Sequence, residues 1–286
     1  MKIVVVGAGG QLGAAVVHDC SGAHETVALT RRDLDARDAA AVTAAMDRLR
    51  PDVIVNGAAF TDVDAAEEHP LEALDTNAFA VGELARAAAR HGAALVHYST
   101  DFVFDGRAAE PYTEDRPPNP QSTYAASKLI GEWLALDAPR AYVLRVESLF
   151  GRVPGGPAAK GSVAGILKTL QAGGTARVFA DRTISPTFVV DAARATRQLV
   201  ERDAASAPPG VYHCVNSGSC TWLELARELA QRLGVAATIE PVRMADMSLR
   251  ARRPQYCALS NAKLQALGIT MPAWQDALAR YLEAGA

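Results

Sequence analysis

The chain has 286 residues, 49% of them apolar, which suits one large domain or two closely joined ones. A formal net charge of −3 leaves no electrostatic footprint for nucleic acid or a membrane surface, and no unbroken apolar run approaches the roughly 18 residues of a membrane span. The four cysteines (Cys20, Cys214, Cys220 and Cys257) make no CxxC pair and no metal-ligand spacing, as expected for thiols in a reducing cytoplasm.

The first run, MKIVVVGAGGQLG, is too short and too glycine-rich for a signal peptide's core and reads as a strand over 2–7 followed by a helix over 11–20. Between them Gly7, Gly10 and Gly13 stand at GxxGxxG spacing. That arrangement lets a pyrophosphate approach the backbone closely and meet the free N–H groups of a helix N-terminus. The expected dinucleotide cradle is Gly7, Gly10, Gln11, Leu12 and Gly13.

A second strand over 26–30 ends in LTRRDLD. An acidic residue normally binds the adenosine ribose of NAD at this point. Arg31 and Arg32 stand there instead, and guanidiniums suit the 2′-phosphate of NADP. NADP, as NADPH, is the expected cofactor and NAD the alternative, with Asp35 facing the adenine edge.

Helical patterns over 38–50, 71–91 and 122–136 alternate with strands over 52–58, 94–99 and 141–147. The fold class expected is α/β, a Rossmann-type doubly wound parallel sheet whose near-continuous apolar strands are buried on both faces. His97, inside one such run, reads as a core histidine. HYSTDF brings Ser99 and Thr100 to the carboxyl end of the fourth strand, where a hydroxyl can polarise a carbonyl.

YAASK then sets Tyr124 four residues before Lys128, one of five lysines in the chain. Chance gives roughly 0.12 such pairs, so the spacing needs its context. On a helix the two share a face. A phenol titrates near pH 10, and a neighbouring ammonium is expected to lower that value. Tyr124 would donate the proton, and Lys128 would also hold the nicotinamide ribose.

After Gly151 the texture changes to the glycine- and proline-rich loop GRVPGGPAAKGS. Smaller elements follow: helices near 163–172, 190–202, 222–234, 260–267 and 274–284, and strands near 177–180 and 210–215. The division expected is a dinucleotide-binding domain over 1–150, with returning elements near 177–203. A substrate-binding region over 151–176 and 204–286 would cover a ligand at the strands' carboxyl ends.

Together the glycine turn, VNGAAFTDVDAAE, NAFAVGELARAA, LVHYSTDFVFDG, PPNPQSTYAASKLIGE and YHCVNSGSCTW resemble the extended short-chain dehydrogenase/reductase superfamily, most of all its dTDP-4-dehydrorhamnose reductases. The resemblance runs nearly the full chain and is strongest through residue 145. It implies a keto sugar nucleotide as substrate, with Thr100, Tyr124 and Lys128 as the catalytic set. Ala58, Ala59 and Thr61 match the third-strand loop that contacts the cofactor, and Asn77 an asparagine lining its site. Asp101, Phe102, Trp222 and Arg253 fall on the substrate side.

Departures concern the sugar. Members usually continue the strand after residue 145 as Thr-Ser-Trp, whereas this chain reads RVESLFG, placing Glu147 and Ser148 there. A buried Glu147 calls for a substrate amino or hydroxyl group, or an arginine such as Arg152 or Arg182. The glutamate tied to a magnesium-linked dimer in some members is missing, so no metal is expected, and the chain would be a cytoplasmic monomer or homodimer. Two alternatives share the fold. One is a nucleotide-sugar epimerase with tightly held NAD. The other is a non-catalytic NADP-binding protein like the regulatory subunit of methionine adenosyltransferase. Dehydratases carry Asp-Glu after the threonine, unlike the Asp101-Phe102 found here.

Overall fold

A computed structural model describes residues 1–236 and 238–285. Its central sheet holds β1 (Lys2–Val6), β2 (Glu25–Leu29), β3 (Val53–Asn56), β4 (Ala94–Thr100), β5 (Ala141–Val146) and β6 (Gly210–His213). All pairs are parallel and the spatial order is β6-β5-β4-β3-β1-β2. The connection direction reverses between β1 and β3, so a crevice opens at their carboxyl ends, where open α/β sheets bind ligands.

Alternate side chains of each strand feed two cores. Ile3, Val5, Val55, Val96 and Leu144 pack beneath α1 (Gln11–Cys20). Val4, Val6, Ile54, Leu95 and Val143 pack beneath α2 (Ala39–Leu49) and α3 (Ala80–His91). Each such side chain, fully buried, contributes about 1.5–3 kcal/mol, which is why the strands lack a polar face.

The helix expected over 71–91 is present as one unbroken helical run, with a π turn inside it. Pro70–Leu74 is α-helical, Asp75–Phe79 is a π turn, and α3 follows. Across from the π turn lies α4 (Thr123–Ala135), which carries Gly131. A Cβ on Gly131 would sit 2.0 Å from the Asn77 carbonyl oxygen, so the two helices touch backbone to backbone. The start of α4 is set by Ser122, whose hydroxyl accepts from the Ala125 N–H. A short helix over Val63–Glu68, capped by Asp62, lies where no element was expected.

The second half divides differently from the sequence reading. The strand Thr175–Phe179 pairs with Thr238–Val242 in a small separate sheet, so it does not return to the dinucleotide-binding part. α5 (Ser162–Gln171), α7 (Trp222–Leu233) and α8 (Trp274–Glu283) share a third core with that small sheet. α6 (Val189–Val200) does return, packing with α1. So does β6, which falls inside 204–286. Among the described residues no helix is long and apolar enough to cross a membrane.

Candidate active site

Backbone contact dictates the glycines of the first turn. Gly7 has φ +79°, and a Cβ there would lie 2.5 Å from the Ala58 nitrogen. A Cβ on Gly13 would meet the Gly7 carbonyl oxygen at 2.4 Å. A cavity of about 540 Å³ opens beside this turn, lined by Gly7, Gly10, Arg31, Arg32, Asp35, Ala58 and Ala59, as well as Gly9, Thr30, Arg37 and Phe60. Its size and the glycine cradle fit a dinucleotide, and the exposed Arg31 and Arg32 place two positive charges at one end.

Other expected cofactor residues act around that cavity. The Asp35 carboxylate takes Arg37 Nη2 at 2.7 Å, and this bond holds its pKa at about 2, so it meets the cavity as half of an ion pair. Asn77 is fully buried: it accepts from the Phe60 N–H at 2.9 Å and donates to the Phe60 carbonyl and the Ser127 hydroxyl, both at 3.0 Å. It shapes the loop that lines the cavity and does not line it itself. Gln11 ties the start of α1 to the later loop, donating to the Gly151 carbonyl at 2.6 Å and accepting from the Lys160 N–H at 3.3 Å. Leu12 is in the core, Thr61 is exposed, and Ser99 is buried with its hydroxyl unpartnered.

Tyr124 and Lys128 lie one turn apart on α4, below the carboxyl end of β4. The Lys128 ammonium is buried and donates to the Tyr98 carbonyl at 2.5 Å; burial pulls its pKa down to about 8, opposed by Glu132. Tyr124 is shifted the other way. Burial, then the Asp101 carboxylate, push its phenol above the ordinary value, and the Thr100 hydroxyl opposes them. The lowering expected from Lys128 is therefore not what the site shows: the ammonium is directed at the Tyr98 carbonyl, and the charge that bears on the phenol is that of Asp101. A phenol that keeps its proton suits a proton donor.

His97, read from sequence as core, is buried but touches this machinery. Asn56 Oδ1 accepts from the Ala58 N–H at 3.1 Å, so its amide nitrogen faces His97 Nδ1 at 3.1 Å. The other ring nitrogen, Nε2, lies 3.4 Å from Lys128 Nζ. Burial and Lys128 keep this ring neutral. An apolar run around a histidine gives no sequence signal of such a contact.

On the substrate side, a cavity of about 210 Å³ is lined by Asp101, Phe102, Ser148, Trp222 and Arg182, with Leu149, Gly161 and Ser162. The Phe102 ring meets Tyr124 edge-on at 5.5 Å. A neighbouring cavity of about 420 Å³ shares Trp222 and Arg182 and reaches Arg253. Arg253 itself is held by Asp64, at 3.0 and 2.7 Å. Glu147 does not line the smaller cavity. It is buried, accepts from the Ser185 N–H, and stands 3.4 Å from the Ser148 hydroxyl. Burial and the nearby Asp101 raise its pKa, and Arg182 opposes them. Of the two arginines named as partners, Arg182 lies in this group, whereas Arg152 donates to the Gly285 carbonyl. The four cysteines are buried free thiols.

The sequence matches the RmlD substrate binding domain family over residues 1–286. It is 37% identical over 294 residues to a dTDP-4-dehydrorhamnose reductase of Mycobacterium tuberculosis, covering 100% of this chain and 93% of the relative. It is 35% identical over 284 residues to the spore coat polysaccharide biosynthesis protein SpsK of Bacillus subtilis, covering 99% and 97%. The fold superposes on a dTDP-4-dehydrorhamnose reductase of Bacillus anthracis, solved in complex with NADP, with a TM-score of 0.92, 28% identity and 99% of each chain covered. Sequence, sheet order and glycine cradle agree: the chain belongs to the RmlD substrate binding domain family of extended short-chain reductases and is an NADP-dependent oxidoreductase.

Proposed function

We propose that the protein is a cytoplasmic enzyme that reduces the keto group of a dTDP-linked 4-keto-6-deoxy sugar with NADPH. One observation carries the reading: Tyr124, on one helix with Lys128, meets edge-on at 5.5 Å the Phe102 ring that lines the smaller cavity, and a cradle suited to a dinucleotide opens separately at the glycine turn. A keto carbon held in the smaller cavity would have Tyr124 as its proton donor. The names of the relatives supply the substrate class.

Gly7, Gly10, Arg31, Arg32, Ala58 and Ala59 would hold the cofactor, the arginines taking the 2′-phosphate. When bound, NADPH supplies the hydride. The chain's own residues do the rest. Tyr124, protonated at neutral pH, delivers its proton to the carbonyl oxygen as negative charge develops there. Thr100, whose hydroxyl donates to Asp101 Oδ1 at 2.9 Å and accepts from the Phe102 N–H at 3.2 Å, is fixed at the end of β4, and its proton would turn from Asp101 to orient that oxygen. Lys128, bound to the Tyr98 carbonyl, orients the ribose side of the site.

Consumption of NADPH with dTDP-4-dehydrorhamnose tests the reading. Wild type is expected to turn over with kcat/KM of at least about 10⁴ M⁻¹s⁻¹. Tight NADPH binding without turnover on any dTDP-linked keto sugar would remove it and favour a non-catalytic role.

A further inference from the structure

A buried polar chain runs from the loop after β3 to Lys128. Its first group is the Ala58 N–H, which donates to Asn56 Oδ1 at 3.1 Å. Ala58 lines the larger cavity, and a Cβ on Gly7 would lie 2.5 Å from its nitrogen, so this peptide has no room to turn. Asn56 Nδ2 then meets His97 Nδ1 at 3.1 Å, and His97 Nε2 meets Lys128 Nζ at 3.4 Å. Asn56, His97 and Lys128 are 2%, 0% and 2% exposed, so bulk water does not reach them.

The chain has a direction. A backbone N–H can only donate, which turns the Asn56 oxygen toward Ala58 and its amide nitrogen toward His97. Nδ1 then accepts, and the one proton of the neutral ring falls on Nε2, facing the lysine. An ammonium has three donors and no acceptor, so the last junction sets N–H against N–H. The free amine has a lone pair. It would accept from Nε2–H and still donate to the Tyr98 carbonyl at 2.5 Å. Moving the ring proton to Nδ1 only shifts the mismatch to the Asn56 amide nitrogen, and turning Asn56 shifts it to Ala58. Those two contacts are the shorter ones, and the mismatch stays at the longest.

We propose that His97 is a positioning residue whose Nε2–H opposes the ammonium of Lys128, so that the chain from Ala58 helps set the pH at which this lysine gives up its proton. This deepens the reductase reading and rests on Lys128 belonging to the catalytic set. Other groups around the lysine act differently. Glu132, on α4 itself, favours the ammonium, but Arg145 of β5 holds its carboxylate. Tyr124, one turn earlier on α4, keeps its proton, and Asp101, just past β4, bears on that phenol. β3 contributes Asn56, which does not titrate, and β4 the neutral ring and the Tyr98 carbonyl. Burial acts in the same direction as His97.

The test is NMR of the full chain, labelled on histidine ring nitrogens and lysine Cε. Ring-nitrogen shifts should show His97, identified by its loss in His97→Gln, as the Nε2–H tautomer. Lys128→Met identifies the Lys128 signal among five lysines. His97→Gln places an amide where Nε2 stands and frees an oxygen to accept from the ammonium, so the Lys128 midpoint should rise by about one unit or more. The pH above which kcat/KM for dTDP-4-dehydrorhamnose falls should rise with it. Asn56→Asp has no N–H to give Nδ1, so the His97 proton should move to Nδ1 as the Lys128 midpoint rises; this variant decides if His97→Gln does not fold. A wild-type ring protonated at Nδ1, a midpoint that stays or falls in His97→Gln, or a midpoint that rises in Asn56→Asp with the tautomer unchanged overturns the proposal. Tautomer and midpoint are read without the sugar. Failure to reduce any dTDP-linked keto sugar would therefore remove the reductase reading separately.

Discussion

Tyr124 and Lys128 were legible because their relation is local: helical spacing alone puts residues i and i+4 on one face. What the spacing could not give was the charge around them. The shift of Tyr124 comes from burial and from Asp101, which approaches from another element. The ion pair of Asp101 and Arg182 joins residues 81 positions apart, so no motif marks it. Replacing Tyr124 with Phe should leave NADPH affinity unchanged and lower kcat by about 10²–10⁴, the usual worth of a positioned acid. Isothermal calorimetry and steady-state rates check the two halves. Lys128 gives a pH test. In the proposed mechanism its ammonium orients the ribose side, so kcat/KM should fall as pH rises through about 8. Lys128→Met, already low, should lack that limb.

At the scale of elements, strands and long helices were readable because apolar periodicity and caps are properties of short windows. The π turn inside the helix at 70–91 was not. It lies against the bare backbone of Gly131 on α4, packed on the Asn77 carbonyl, and nothing in residues 70–91 announces that. Gly131→Ala should therefore destabilise by about 1–3 kcal/mol, as overpacking does, and denaturant midpoints with unchanged slope would show it. α4 is also tied to β5 by a buried bidentate pair, Arg145 to Glu132 at 2.8 and 2.7 Å. Arg145→Met strands the Glu132 charge and should cost about 3–5 kcal/mol, whereas replacing both partners with apolar residues of similar volume should recover most of it.

At the scale of the molecule, the expected return near 177–203 holds α6, whereas the return of β6 to the central sheet was not read, since strand partners far apart in sequence carry no local mark. One visible tie between the halves is Arg253 on Asp64, joining the C-terminal region to the helix Val63–Glu68. Arg253 holds the Asp64 carboxyl at about 2, below the ordinary 3.8. A depressed carboxylate stabilises the fold above its unfolded pKa and loses that contribution as pH falls from about 4 to about 2. Asp64→Asn should flatten the pH dependence of Tm in that window; because the group is partly exposed, the effect should be no more than about 1 kcal/mol.

The central claim is a net hydride transfer to a sugar carbonyl, which an epimerase or a binding protein would not leave in its product. Mass spectrometry of the sugar nucleotide made from dTDP-4-dehydrorhamnose with nicotinamide-deuterated NADPH measures it directly. The account predicts a reduced product carrying one deuterium on the former carbonyl carbon, its formation abolished or nearly so in Tyr124→Phe. An isomerised or unchanged sugar with no deuterium, recovered alongside intact NADPH, would contradict it.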